Sequence, residues 1–418
     1  MIQPNWMISD LHIHSRFSQA CSRNITFENL VKWAKIKGLH LLGTGDFTHP
    51  IWFEEIKSKL EDRGEGLYYL DDFPFIISGE ISLIYTQERG RRIHLVVLVP
   101  SVEVAEKINS YLDTKSRRDY DGRPIFKIPG NEFVREMKKI STEIEIIPAH
   151  IWTPWFSVFG SKSGFDSLKE CFKEEVDNVY AIETGMSSDP EMNWKIKDLE
   201  NKSIVSFSDS HSFWPFRLGR EATIFRRCDS YREIIKQIRE NDFIATIETD
   251  PAYGKYHWDG HRACNFSCNP KKSKSLDGIC PVCKKPLTIG VEYRVEELSD
   301  SGSDHKNKKP FYTLLPLHEI ITLALGVSMQ SKKVWEVYNN LIKEFDNEFN
   351  ILLNVQREEL VKANVDTLIP KGAQEGTSGK LIALILRNRK GNIKIQPGFD
   401  GEYGVAQIGE VEGQKRLF

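Results

Sequence analysis

Acidic and imidazole side chains recur through the first half of this 418-residue chain, each time beside a short apolar run. Asp10-Leu11-His12-Ile13-His14 sets two imidazoles at i and i+2, on one face of an extended segment. Asp46 and His49 follow in GTGDFTH, Glu80 in SGE, His94 in RIHLVVL, His150 in IIPAH and Glu183 in YAIET, and Asp209-Ser210-His211 repeats the i, i+2 spacing. Imidazole with carboxylate is the ligand set for Zn²⁺, Mn²⁺ or Mg²⁺, and this many groups suffice for two or three ions. Ions about 3.5–4 Å apart suit in-line displacement at phosphorus. A lone HxH is ordinarily a surface or core pair; acidic and imidazole groups at six successive strand ends are not.

Those groups need a scaffold that gathers them. Up to about residue 250, apolar runs at 7–13, 39–43, 75–78, 93–99, 145–148, 179–183 and 204–208 read as strands. Helical stretches at 26–37, 132–140, 191–199 and 230–240 fall between them, the first with Thr26 as its cap and Gly38 as its end. About seven such repeats predict an α/β barrel, in which C-terminal strand ends converge on one mouth.

Beyond Asp250, Cys264-x3-Cys268-x11-Cys280-x2-Cys283 offers two thiolate pairs for a closed, structural Zn²⁺ site, with His257 and His261 just upstream as substitutes. Lys271, Lys272, Lys274, Lys284 and Lys285 crowd this module and suit phosphate contact. Trp152, Trp155 and Phe156 follow His150, and Trp214, Phe216, Arg217 and Arg220 follow His211; aromatics and cations in such loops can stack on a base or hold a phosphate. The apolar-free run at 299–309 marks a boundary, after which amphipathic helices are predicted at 315–325 and 334–345. The chain thus divides into 1–252, a zinc module at 253–297, a polar linker at 298–309 and a mainly helical C-terminal domain at 310–418.

The ordered motifs Asp10-Leu11-His12-Ile13-His14, Asp46, Glu80, His94, His150 and Asp209-Ser210-His211 resemble those of the PHP (polymerase and histidinol phosphatase) superfamily. The resemblance implies a distorted (β/α)7 barrel whose metal cluster hydrolyses phosphoesters. His12, His14, Asp46, Glu80, His94, His150, Glu183, Asp209 and His211 would hold the ions, with Asp209, His211 and Glu80 at the reaction. The family commonly has Asp-His in its second motif, whereas this chain reads Asp46-Phe47-Thr48-His49, so either Asp46 or His49 qualifies as ligand. GTGDFTHP, AIETGMSSDPEMNW, SFSDSHS, the four cysteines, PLHEIITLALG and QPGFDGEYG together resemble the endonuclease Q family of PHP-barrel repair nucleases. That resemblance implies damaged DNA as partner, with the strand cut 5′ to deaminated bases (hypoxanthine, uracil, xanthine) and abasic sites, leaving 3′-hydroxyl and 5′-phosphate. The rival readings are a phosphatase of small phosphate esters and a catalytically weak DNA-binding scaffold.

Gln414, Leu417 and Phe418 resemble the pentapeptide by which bacterial repair proteins dock on the sliding clamp. With 57 Lys and Arg against 59 Asp and Glu, DNA must be met by local basic surface, not by bulk charge. The start lacks a signal-peptide layout, no run is apolar enough for a membrane helix, and seven clustered or scattered cysteines suit a reducing compartment. A cytoplasmic monomer without membrane contact is expected.

Overall fold

The computed structural model describes residues 3–300, 302–303, 305, 308–363 and 376–407. Gln414, Leu417 and Phe418 lie outside them. Thr26 accepts from Asn29 N at 3.2 Å and starts helix Phe27–Lys37, and Gly38 ends it at φ +93°. The strand Trp6–Asp10, buried at every residue, pairs in parallel with Leu41–Gly43 and antiparallel with Ala222–Arg226. Leu41–Gly43 continues in parallel to Phe73–Gln87.

The pattern then departs from seven parallel repeats. The chain reverses at Glu88, whose φ is +62°, so that Phe73–Gln87 and Arg89–Val99 form one long antiparallel hairpin in place of two parallel strands. Glu145–Pro148 adds antiparallel to the second arm. Ala181–Glu183 and Ser203–Val205 pair in parallel as a small separate sheet, tied to the rest where Thr223 Oγ1 accepts from Ser206 N at 3.0 Å. Side chains alternate between two cores, as strand geometry requires. Ile76, Val96, Leu98, Ile147, Val205 and Phe225 pack with Ile234, Ile235 and Ile238 of helix Tyr231–Arg239, while Ile77, Val97 and Val99 join the larger core.

The expected boundaries blur. Ala245–Glu248 carries Phe311–Thr313 as a parallel neighbour, so the residues after the linker return to the main sheet. Within the linker, Asp300 N donates to Lys195 O at 3.0 Å and Ser303 Oγ to Trp194 O at 2.7 Å, which ties a segment expected to be solvated. Helices Leu317–Leu325, Lys332–Phe345, Glu348–Leu353, Arg357–Lys362 and Thr377–Asn388 follow, then the hairpin of Lys394–Gln396 with Val405–Gln407. No described helix is long and apolar enough to cross a membrane.

Candidate metal-binding active site

The strand Trp6–Asp10 ends at a carboxylate that braces the site without entering it. Asp10 accepts from Ser208 N at 3.0 Å and Gly219 N at 2.8 Å, holding both ends of the loop that carries Asp209 and His211. Burial pushes its carboxyl up to about 7 despite those hydrogen bonds.

Just beyond, His12 and His14 reach the same point from one face. His14 Nε2 lies 2.9 Å from Asp209 Oδ1 and 3.3 Å from Glu80 Oε2. His12 Nε2 lies 3.5 Å from Asp209 Oδ1 and 3.7 Å from Glu80 Oε2. Glu80 turns its other oxygen to His94 Nδ1 at 2.8 Å and His150 Nε2 at 3.1 Å. Glu80 and His94 arrive there because the long hairpin sets Glu80 opposite Val96 and Ser82 opposite His94, a diagonal pair on one face. Both therefore come from within strands, not from strand ends.

Two groups able to hold a metal ion result: His12, His14, Glu80 and Asp209, and Glu80, His94 and His150, each with its donor atoms within 4.8 Å of one another. His12 Nε2 is buried and has no hydrogen-bond partner although carboxylates face it. A buried nitrogen left bare among acidic oxygens is costly unless a cation completes it, so the donor set fits divalent ions. The Nδ1 atoms of His12 and His14 are already committed. Glu183 holds His12 Nδ1 at 2.9 Å and accepts from His150 N at 2.7 Å; Asp46 holds His14 Nδ1 at 2.9 Å and accepts from Ser15 N at 2.6 Å and Ser18 Oγ at 2.9 Å. The structure thus places Glu183 and Asp46 behind the ligands, fixing the tautomer that turns each Nε2 inward. His49 stacks on Phe17 at 4.1 Å, outside both groups. His211 is outside them too, its Nδ1 at 2.8 Å from Asp209 O and its ring 4.5 Å from that of His14.

Burial opposes ionisation of Glu80, but His94 and Arg123 outweigh it and hold the carboxyl well below its usual range. Burial likewise opposes the charge on Asp209, and His211 and His12 win, keeping it ionised. His94 is pushed down to about 4, chiefly by burial. Asp46, His150 and Asp209 adopt φ of +43°, +31° and +49°, backbone strain of a kind that gathers at working sites.

Arg123 escaped the sequence reading. Its Nη1 donates to Glu80 Oε2 at 2.8 Å from the irregular stretch after helix Val102–Asp113. The available signal is the preceding Gly122: a Cβ there would collide with Asp46 Oδ2 and Ser18 Oγ, so only glycine lets this loop cross the site.

His94, His150 and Asp209 line a cleft of about 600 Å³ together with Trp155, Arg217, Arg220, Tyr256, His257 and Tyr403. Of the expected loop aromatics, Trp155, 36% exposed, and Phe156 reach it. Trp152 does not: it is buried and donates to Asn193 Oδ1 at 2.8 Å. Trp214 packs between Trp33 and Trp335, each ring centroid 5.1 Å away, so it anchors helices. Arg220 lines the cleft while paired with Glu221 at 3.0 Å. Lys271, Lys272 and Lys284 are exposed on the cysteine-bearing segment.

There the ligand set differs from the expected four cysteines. His261, Cys264, Cys280 and Cys283 gather within 4.8 Å, and Cys268 stays out. The strands Asp259–His261 and Phe266–Cys268 pair with His261 opposite Phe266 and Cys268 opposite Asp259, so Cys268 sits at the far end of the hairpin from His261. It packs with Cys280 and Leu287 in a small apolar cluster.

Residues 316–371 match the family described as MJ0043 C-terminal domain. An uncharacterized protein of Methanocaldococcus jannaschii is 36% identical over 260 residues, 60% of this chain, and this chain spans 31% of that relative's length. The uncharacterized protein YqxK of Bacillus subtilis is 25% identical over 95% of this chain and 98% of its own. The crystal structure of a lesion-specific endonuclease from Pyrococcus furiosus, PfuEndoQ, superposes with a TM-score of 0.85 at 28% identity, covering 99% of this chain and 98% of that one. A structure of endonuclease Q with a 27-mer duplex bearing an abasic lesion at its active site gives 0.85 at 29% identity over 97% of each.

Proposed function

Because the chain shares the architecture of endonuclease Q over its whole length, we propose that it is a metal-dependent DNA repair endonuclease. It nicks the strand 5′ to a deaminated base (hypoxanthine, uracil or xanthine) or an abasic site, leaving 3′-hydroxyl and 5′-phosphate. The observation that carries the reading is Glu80, shared by two groups able to hold metal ions, of which His94, His150 and Asp209 line a cleft of about 600 Å³. Residues 1–252 then form the PHP-type phosphoesterase unit, 253–297 the zinc module with one structural Zn²⁺, and 310–418 a helical layer with a clamp-binding tail.

Divalent ions held by His12, His14, Glu80, His94, His150 and Asp209 would supply an activated water and neutralise charge building on the phosphate. The chain supplies the rest. Glu183 and Asp46 keep His12 and His14 in the tautomer that presents Nε2. Arg217 and Arg123, both on the cleft, suit the anionic oxygens flanking the scissile bond. A carbonyl only accepts, so His211 Nδ1 carries the proton given to Asp209 O and Nε2 is the basic nitrogen; burial lowers the imidazole's affinity for a second proton and keeps it ready to accept one.

The test uses end-labelled duplexes with a single hypoxanthine, uracil or abasic site, with Zn²⁺, Mn²⁺ and Mg²⁺ varied and the cut mapped. One nick 5′ to the lesion is expected. Equal cutting of undamaged duplex would remove the lesion specificity, and turnover limited to small phosphomonoesters would replace this reading with the phosphatase one.

A further inference from the structure

Tyr403 is an exposed aromatic that the fold takes trouble to hold still. It is 41% exposed, yet the segment bearing it is stitched to residues 252–255. Gly398 N donates to Ala252 O at 2.9 Å, Gly401 N to Lys255 O at 3.0 Å and Gly404 N to Tyr253 O at 3.0 Å. A Cβ at Gly404 would strike Ala252 O, so the residue next to Tyr403 must be glycine for this seam to close.

Its neighbours say what would be recognised. Lys255 Nζ lies 4.6 Å and Arg217 Cζ 5.8 Å from the ring centroid, so an aromatic face is flanked by two cations. Tyr403 also stands between two spaces. It lines the cleft of about 600 Å³ over the ligand groups and a second hollow of about 430 Å³ bounded by Arg262, Asn265, Gln396 and Phe399. A flat ring between cations, dividing a reaction cleft from an outer groove, matches a nucleobase with phosphates on either side.

We propose that Tyr403 stacks on the base beside the target nucleotide, filling the gap left in the helix when that nucleotide turns into the cleft. This rests on the nuclease reading above and adds a specificity residue to it. The energetic logic is that extrusion costs stacking, which an aromatic side chain can restore. Single-stranded DNA has no partner strand from which the nucleotide must be withdrawn, so the contribution should be confined to duplex.

The experiment measures single-turnover nicking of one hypoxanthine-containing strand, alone and in duplex, by the full chain. Tyr403→Ala and the bulkier Tyr403→Leu should lower the duplex rate about tenfold relative to the single-strand rate, the scale of one lost base–aromatic stack. Tyr403→Phe, which keeps the ring, should retain the wild-type ratio. An unchanged ratio in Tyr403→Leu, or equal loss on both substrates, overturns the stacking role. Failure of the unsubstituted protein to cut either substrate defeats the nuclease reading instead, so the two failures are distinguishable.

Discussion

Glu80 touches every donor set in the site, and the residues around it divide by what they face. Asp209 turns an oxygen toward both His12 and His14, whereas Asp46 turns away and holds His14 from behind. Asp209→Ala should therefore abolish nicking while DNA binding, followed by fluorescence anisotropy, stays largely intact. Asp46→Asn should cost about 10–100-fold in metal affinity or nicking, the range for a group that only orients a ligand. Equal losses in the two variants would contradict this division. The imidazoles and acids were legible because i, i+2 pairs and acids set beside short apolar runs leave a pattern in sequence, although Glu80 and His94 lie within their strands. Arg123 was not, since it belongs to a loop whose course is set by contact with Asp46 and Ser18 and not by any periodicity.

Whole elements explain the two largest departures from the sequence reading. The apolar runs at 75–78 and 93–99 are strands, but a reversal at Glu88 joins them into a hairpin, and no local pattern reveals which partner a buried strand takes. In the cysteine-bearing segment, cysteine spacing alone favoured Cys268, while the register of the Asp259–His261 hairpin puts His261 with the thiolates. Cys268→Ser should keep one tightly held zinc per chain by elemental analysis, and His261→Ala should lose it. Helix Leu317–Leu325 contributes a second expectation. His318 is buried with its ring 4.2 Å from Trp335 and 3.9 Å from Tyr338, and neither nitrogen has a hydrogen-bond partner. Burial, aided by Lys37, pushes its pKa down to about 3 from the ordinary 6.5. The fold binds this proton less readily than the unfolded chain does, so the stability it supports is present above pH 6.5 and drains away as pH falls toward 3. Tm measured from pH 7.5 to 4.5 should decline less steeply in His318→Phe; identical slopes would remove His318 from the acid limb.

Across the molecule, helix Phe27–Lys37 meets the C-terminal helices beside Pro215, just after the Asp209 loop. Lys37 Nζ, buried, lies 2.7 Å from Glu348 Oε1 and donates to Pro215 O at 2.7 Å, while Tyr338 donates to Glu348 Oε2 at 2.9 Å. Breaking one side of such a pair strands a buried charge, so Lys37→Met should cost about 3–5 kcal/mol in urea unfolding. Adding Glu348→Leu should restore much of it; no recovery would show that the pair's other hydrogen bonds dominate. Trp214, pinned between Trp33 and Trp335, belongs to the same junction. During synthesis this arrangement sets an order of completion. At about 5–20 residues per second, Tyr403 leaves the ribosome roughly ten to forty seconds after Asp209, and Trp335 and Glu348 emerge in between. A nascent chain thus displays its acidic and imidazole groups well before it gains the parts that brace their loop and finish their rim.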